Sequence, residues 1–185
     1  MKYTTQTEGK IKVKDRFFIK YTPYEKIIEA VKKMAQRIYY DHGDQNPLFL
    51  SVLNGSFMFT SDLMKHYPGV CELSFIRVSS YKGAKSTGEV MTSIGLTQDI
   101  NSRVVIILED IIDSGITVSH LLKDLNTMQP ACLKVATLLL KPEALQTSVT
   151  PDYVGLEIPS DFIVGYGLDY DGFGRNLRDI YKITG

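Results

Sequence analysis

Three carboxylates, Glu109, Asp110 and Asp113, stand in the run "VVIILEDIIDSGIT" at residues 104–117, where Val104, Val105, Ile106, Ile107, Leu108 and Ile111 otherwise suit a buried strand. Carboxylates are costly to remove from water, so three at the end of so apolar a run call for partners. Directly behind them Ser114, Gly115, Ile116 and Thr117 join the strand to a helix. Gly115 permits a tight turn, and the first N–H groups of the helix carry partial positive charge without intrahelical acceptors. Such a turn favours a phosphate, assisted by the Ser114 and Thr117 hydroxyls. Taken alone, it also fits an ordinary helix cap. A phosphate and carboxylates repel each other unless they serve different parts of one ligand. A sugar phosphate satisfies both. The loop holds its phosphate, Glu109 and Asp110 accept from sugar hydroxyls or hold a hydrated Mg²⁺, and Asp113 is left for proton transfer.

The surrounding elements must bring these groups together. "TPYEKIIEAVKKMAQRIYY" reads as a helix, with a Thr22–Glu25 capping box, Pro23 at its first position, and Ile27, Ile28, Val31, Met34, Ala35 and Ile38 at helical spacing. Residues 48–53 read as a buried strand broken by "NGS", and 57–67 as a helix with Phe59 and Leu63 one turn apart. Alternation marks 71–81 as a strand, whereas 82–95 is polar and glycine-containing, a hairpin arm or a mobile loop. Beyond the acidic strand, Val118, Leu121, Leu122, Leu125 and Met128 form one helical face. Residues 131–140 make the next strand, 152–158 and 161–167 two short ones, and the chain then turns polar and glycine-rich. Strands alternating with helices imply an α/β protein with a mainly parallel central sheet, in which ligands bind at the carboxyl ends of strands.

With 185 residues the chain suits one domain, 1–185, and 44% hydrophobic with 23% charged residues is ordinary globular composition. Lys plus Arg and Asp plus Glu each number 21, a formal net charge of zero, which gives no support to nucleic-acid binding. Cys71 and Cys132 read as buried small hydrophobes rather than a disulfide. His42, His66 and His120 have no zinc-ligand spacing. The first residues lack the apolar core of a signal peptide and no apolar run is long enough for a membrane span, so a cytoplasmic location is expected.

At this point the chain resembles a known family. Four apolar residues, an acidic pair, two apolar residues, Asp and a short Ser/Thr-Gly-x-Thr loop form the phosphoribosyl-pyrophosphate motif of type I phosphoribosyltransferases, and "LEDIIDSGIT" resembles the hypoxanthine-guanine branch. "VLNGSFMFTSDLM" is similar to its pyrophosphate turn and following helix, and "SSYKGAKSTGEV" to its flexible active-site loop, about 80–95. "KVATLLLK" and "DYVGLEIPSDFIVGYGLDYDGFGRNL" resemble its purine-binding end. Together these segments run from about residue 48 to 177. The implied fold is a central mainly parallel sheet flanked by helices, with a small hood subdomain formed partly by about 150–185.

The resemblance implies transfer of 5-phosphoribosyl from phosphoribosyl pyrophosphate to hypoxanthine or guanine, with Mg²⁺ as cofactor and a homodimer or homotetramer as the assembly. It makes Asp113 the general base on purine N7. Glu109 and Asp110 serve the ribose and its metal, and Asp169 a second metal near the base. Asp113, Ser114, Gly115, Ile116 and Thr117 hold the phosphate. Leu53, Asn54, Gly55, Ser80, Tyr81 and Arg175 contact pyrophosphate, while Lys141, Phe162, Ile163 and Asp169 contact the purine. Lys141 alone reads as a solvated strand-end lysine, and Phe162 alone as a core residue; the aligned spacing gives them their roles. Two departures stand out: Asn54 occupies the turn where many relatives carry lysine, and glycines flank Phe173 ahead of Arg175. A rival reading is a non-catalytic sensor of phosphoribosyl pyrophosphate on the same fold. Transfer to adenine or a pyrimidine is another, disfavoured because an ammonium donates to a carbonyl but cannot accept from an amine.

Overall fold

Strands covered on both faces need apolar residues at every position rather than at alternate ones. The runs 48–50 and 104–108 obey this rule and form the centre of the molecule. The structure, a computed structural model, describes residues 5–6, 9–81, 90–94, 96 and 98–184. In chain order the elements are β1 (Thr5–Gln6), β2 (Lys10–Val13), β3 (Arg16–Thr22), α1 (Tyr24–His42), β4 (Leu48–Leu53), α2 (Phe57–His66) and β5 (Glu72–Tyr81). They continue with β6 (Val90–Ile94), β7 (Val104–Ile112), α3 (Ile116–Asn126), β8 (Cys132–Leu140), β9 (Tyr153–Glu157), β10 (Ile163–Val164) and β11 (Ile180–Ile183).

The main sheet has the order β6-β5-β4-β7-β8-β9, parallel throughout except for β6. Successive residues of β7 face opposite sides. Ile106 and Leu108 join Ile27, Val31, Ile38, Phe59 and Leu63 under α1 and α2, while Val105 and Ile107 join Val118, Leu121 and Leu125 under α3. From β4 the chain proceeds outward to β5, and from β7 it proceeds the other way to β8. The gap beyond the carboxyl ends of β4 and β7 is therefore a topological switch point, where ligands of such sheets bind. A second, antiparallel sheet of order β1-β2-β3-β11-β10 forms the hood around Ile11, Val13, Phe18 and Val164.

The expected α/β layout with a mainly parallel sheet holds, and several local expectations do not. Helix α1 begins at Tyr24, and no side chain forms the expected Thr22 cap. Thr22 is instead the buried last residue of β3, paired with Ile180. The cap comes from far along the chain, where Asp179 Oδ1 accepts from the Tyr24 N–H at 2.8 Å. Ile28 is only half-buried, and Met128 lies beyond the end of α3, exposed. Both cysteines are free but half-buried rather than fully buried. The expected strand at 161–167 shrinks to β10, because Gly165, Tyr166 and Gly167 all adopt positive φ. In the 82–95 segment, residues 90–94 form a hairpin arm against β5, and 82–89 and 95 lie outside the described residues. Among the described residues no helix is long and apolar enough to cross a membrane.

Candidate active site

The acidic strand delivers its carboxylates to the switch point. Glu109 is buried, and burial together with the neighbouring Asp110 charge holds its carboxyl well above the usual range. Burial likewise pushes Asp110 up to about 6, opposed by the Ile111 and Asp110 backbone N–H groups and by the Arg175 charge. Two adjacent acids that resist ionisation are waiting for positive charge or hydroxyl donors. Beyond them Asp113 is exposed, and Gly115 adopts φ 78° immediately before α3. A side chain at Gly115 would overlap Thr147 Oγ1, and the Gln146 N–H donates to the Ser114 carbonyl at 2.9 Å. The segment 145–147 thus supports the loop from behind. Glu109, Asp110, Asp113, Ser114, Gly115 and Thr117 line a concavity of about 230 Å³, room for a phosphate and part of a sugar. Ile116 is exposed at the first turn of α3, with its N–H 3.4 Å from Ser114 Oγ.

Across the switch point, the turn Leu53-Asn54-Gly55 joins β4 to α2. A buried hydroxyl cluster sets it: Ser51 Oγ lies 2.7 Å from both Ser56 Oγ and Thr60 Oγ1, and Ser56 Oγ also donates to the Val52 carbonyl. Gly55 packs against Asp110 so closely that a Cβ would overlap the carboxylate. From the other side Gly167 packs on the Gly55 carbonyl, again without room for a Cβ. Asn54 is exposed. Arg175 donates to the Gly167 carbonyl at 2.7 Å and pairs with Asp169 at 2.6 Å, while Asp169 Oδ2 also accepts from the Gly172 N–H. Asp169 is therefore engaged at both oxygens. Ser80 and Tyr81 lie at the same carboxyl end of the sheet, on β5, with their side chains outside the described residues.

The residues expected at the purine divide between the main sheet and the hood. Lys141, at the end of β8, is buried and donates to Asp113 Oδ2 at 2.6 Å. Phe162 is exposed rather than core, with its ring edge-on to Tyr170 at 5.8 Å between centroids, and Ile163 is held in β10 against Lys182 of β11.

The sheet order, the acidic strand end and the phosphate-sized loop define a type of site, and comparison with known proteins gives it a family. A family model described as phosphoribosyl transferase domain matches residues 20–171. The chain belongs to this family. It is 40% identical over 155 residues to the hypoxanthine-guanine phosphoribosyltransferase of Streptococcus pneumoniae strain R6, across 83% of this chain and 86% of that one. To the protein of the same name from Mycobacterium tuberculosis strain H37Rv it is 39% identical over 163 residues, across 84% and 81%. The crystal structure of a hypoxanthine-guanine phosphoribosyltransferase from Bacillus anthracis superposes with a TM-score of 0.84 at 35% identity, covering 94% of this chain and 100% of that one.

Two buried polar residues of this phosphoribosyl transferase domain lie behind the site, bonded to each other. Asp62 is a buried carboxylate on the core side of α2, and Tyr166 is fully buried between two glycines. Each carried a signal: a charged residue one position from Leu63 on a packed face, and a Gly-Tyr-Gly run that permits a left-handed hook.

Proposed function

We propose that this chain is a purine-salvage transferase that joins hypoxanthine or guanine to phosphoribosyl pyrophosphate, forming IMP or GMP and releasing pyrophosphate. The observation that carries the choice of base is the Lys141–Asp113 pair at 2.6 Å. A 6-oxopurine protonated at N7 shows a carbonyl acceptor at O6 beside an N–H donor. An ammonium beside a carboxylate is its complement. Adenine offers an amine where the ammonium also donates, and is disfavoured.

In the proposed reaction purine N9 supplies the electron pair for the new bond to the ribose anomeric carbon. The bond from that carbon to pyrophosphate breaks, and its electron pair leaves with pyrophosphate. Asp113 takes the N7 proton, and Lys141 steadies charge at O6. Phe162 covers one face of the base, and the Ile163 carbonyl accepts from the ring or the 2-amino group. The N-terminal turn of α3 with Ser114, Gly115, Ile116 and Thr117 holds the 5'-phosphate. Glu109 and Asp110 accept from the ribose hydroxyls. The Leu53-Asn54-Gly55 turn, Ser80, Tyr81 and Arg175 serve pyrophosphate.

The residues fit a Mg²⁺ ion that arrives with phosphoribosyl pyrophosphate. No group of three or more His, Cys, Asp or Glu among the described residues forms a metal cage, and Mg²⁺ bound to phosphates needs only one or two carboxylates besides water. The buried Glu109–Asp110 pair would supply those at the ribose, and Asp169 would serve a second ion near the base if its bond to Arg175 opens. Bound there, the ion neutralises pyrophosphate charge. A single domain acting in the cytoplasm as a homodimer or homotetramer completes the proposal. The non-catalytic sensor is set aside, because the relatives compared above are named as transferases.

The test is product formation from phosphoribosyl pyrophosphate and Mg²⁺ with hypoxanthine, guanine, xanthine or adenine in turn. Nucleotide from the 6-oxopurines and little from adenine is the expected result; none from any base overturns the reading.

A further inference from the structure

Gly165, Tyr166 and Gly167 form a hook with φ of 100°, 49° and 99°. Left-handed backbone is costly for a tyrosine and persists where surrounding contacts impose it. Here the backbone is held by the Tyr166 N–H on the Leu177 carbonyl at 2.8 Å and the Gly167 N–H on the Arg175 carbonyl at 2.9 Å. The side chain is fully buried, and its hydroxyl donates to Asp62 Oδ2 at 2.7 Å, a residue of α2. Asp62 is itself buried, and its other oxygen pairs with Lys65 at 2.9 Å. Helix α2 leaves directly from the pyrophosphate turn. One residue past the hook's tyrosine, Gly167 rests on the Gly55 carbonyl and receives the Arg175 guanidinium.

We propose that Tyr166 and Asp62 are positioning residues for pyrophosphate: their bond latches the hood to α2 and sets the distance between Arg175 and the Leu53-Asn54-Gly55 turn. The latch touches neither substrate. It acts through Gly167, whose close fit against Gly55 leaves no slack between the two halves of the pyrophosphate site. The base side is anchored separately, because Phe162 and Ile163 are tied to β11 by strand pairing and by the Ile183 N–H on the Phe162 carbonyl. This inference rests on the proposed transfer reaction for its ligand, and the pyrophosphate arm of the test is independent of turnover.

The experiment compares wild type, Tyr166→Phe, Asp62→Asn and Asp62→Leu by steady-state kinetics and by calorimetric titration with magnesium pyrophosphate. Tyr166→Phe keeps the ring and its packing and removes the donor. A lost hydrogen bond to a charged acceptor is expected to raise KM for phosphoribosyl pyrophosphate and Kd for pyrophosphate about tenfold, with the hypoxanthine KM held within about twofold. Asp62→Asn, which still accepts from the hydroxyl but carries no charge, is expected to fall between wild type and Tyr166→Phe, and Asp62→Leu to match Tyr166→Phe. Lower kcat and Tm with both KM values and the pyrophosphate Kd unchanged would assign the tyrosine to the core alone and overturn the latch. Pyrophosphate binding by a wild type that forms no nucleotide would overturn the reaction alone, and the Kd comparison would still decide the latch.

Discussion

Lys141 and Asp113 share a 2.6 Å ion pair although the first side chain is 9% exposed and the second 54%. The acid that takes the proton in the proposed reaction is thus held from its buried side, with its open side toward the concavity it lines. A base entering the site meets donor and acceptor already side by side, so little reorganisation separates binding from proton transfer.

Asp113→Asn removes the proton acceptor and keeps the shape. It is expected to lower kcat by about 10²–10⁴-fold, the usual share of general-base catalysis, with KM for phosphoribosyl pyrophosphate little changed. Lys141→Met instead is expected to raise KM for hypoxanthine. Initial-rate measurements with each substrate varied separate the two effects.

Gly55→Ala puts a methyl where Asp110 Oδ2 sits, so the carboxylate must turn away from the pyrophosphate side. A displaced contact in a pre-organised site costs about a hundredfold, here expected in kcat/KM for phosphoribosyl pyrophosphate. Gly167→Ala meets backbone instead, the Gly55 carbonyl, at φ 99°. The loss of about 2 kcal/mol expected there reads as a Tm lower by about 4–8 °C.

Asp110 links stability and binding to pH in opposite senses. Burial raises it from 3.8 to about 6, so the free folded protein retains a proton that the unfolded chain has lost. Its contribution to stability is complete below 3.8 and is lost as pH rises through about 6. Magnesium phosphoribosyl pyrophosphate selects the ionised form, so its affinity is expected to strengthen as pH rises through about 6 and then level off. Calorimetric titration across this range checks it, and in Asp110→Asn the step should vanish.

Asn54 is exposed at the tip of the pyrophosphate turn, and backbone set by the Ser51, Ser56 and Thr60 hydroxyls needs no charge there. Asn54→Lys is expected to leave turnover intact and to alter pyrophosphate-side affinity modestly. Complete loss of activity in that variant would show that the turn cannot accept the side chain.

The parts legible in the sequence were those whose environment is uniform along a stretch. β7 is covered on both faces, so it reads as one apolar run, and its acidic end stands out against it. The spacing of apolar residues identifies helix α1, but the local capping pattern does not describe how it begins. The Thr22–Glu25 pattern is a sound local signal, but pairing with Ile180 draws Thr22 into β3, and Asp179 does the capping from the other end of the chain. The hood was harder to see. β2 is four residues of alternating lysine and apolar side chains, β10 is two residues long, and β11 follows a glycine-rich stretch. None carries enough period to declare itself, since their stability comes from one another. Phe162 shows the same limit at the site, because exposure of an aromatic residue has no signature in its neighbours.

The strand order of the hood sets an order of assembly. β10 carries Phe162 and Ile163 and has β11 as its strand neighbour, and β11 in turn pairs with β3. On a ribosome, residues 48–140 emerge with β7 already flanked by its parallel neighbours β4 and β8. The purine strand meanwhile has no ladder to join until residues 180–183 follow it out. Under the proposed reaction, a nascent chain would therefore acquire its hold on the sugar phosphate before its hold on the base.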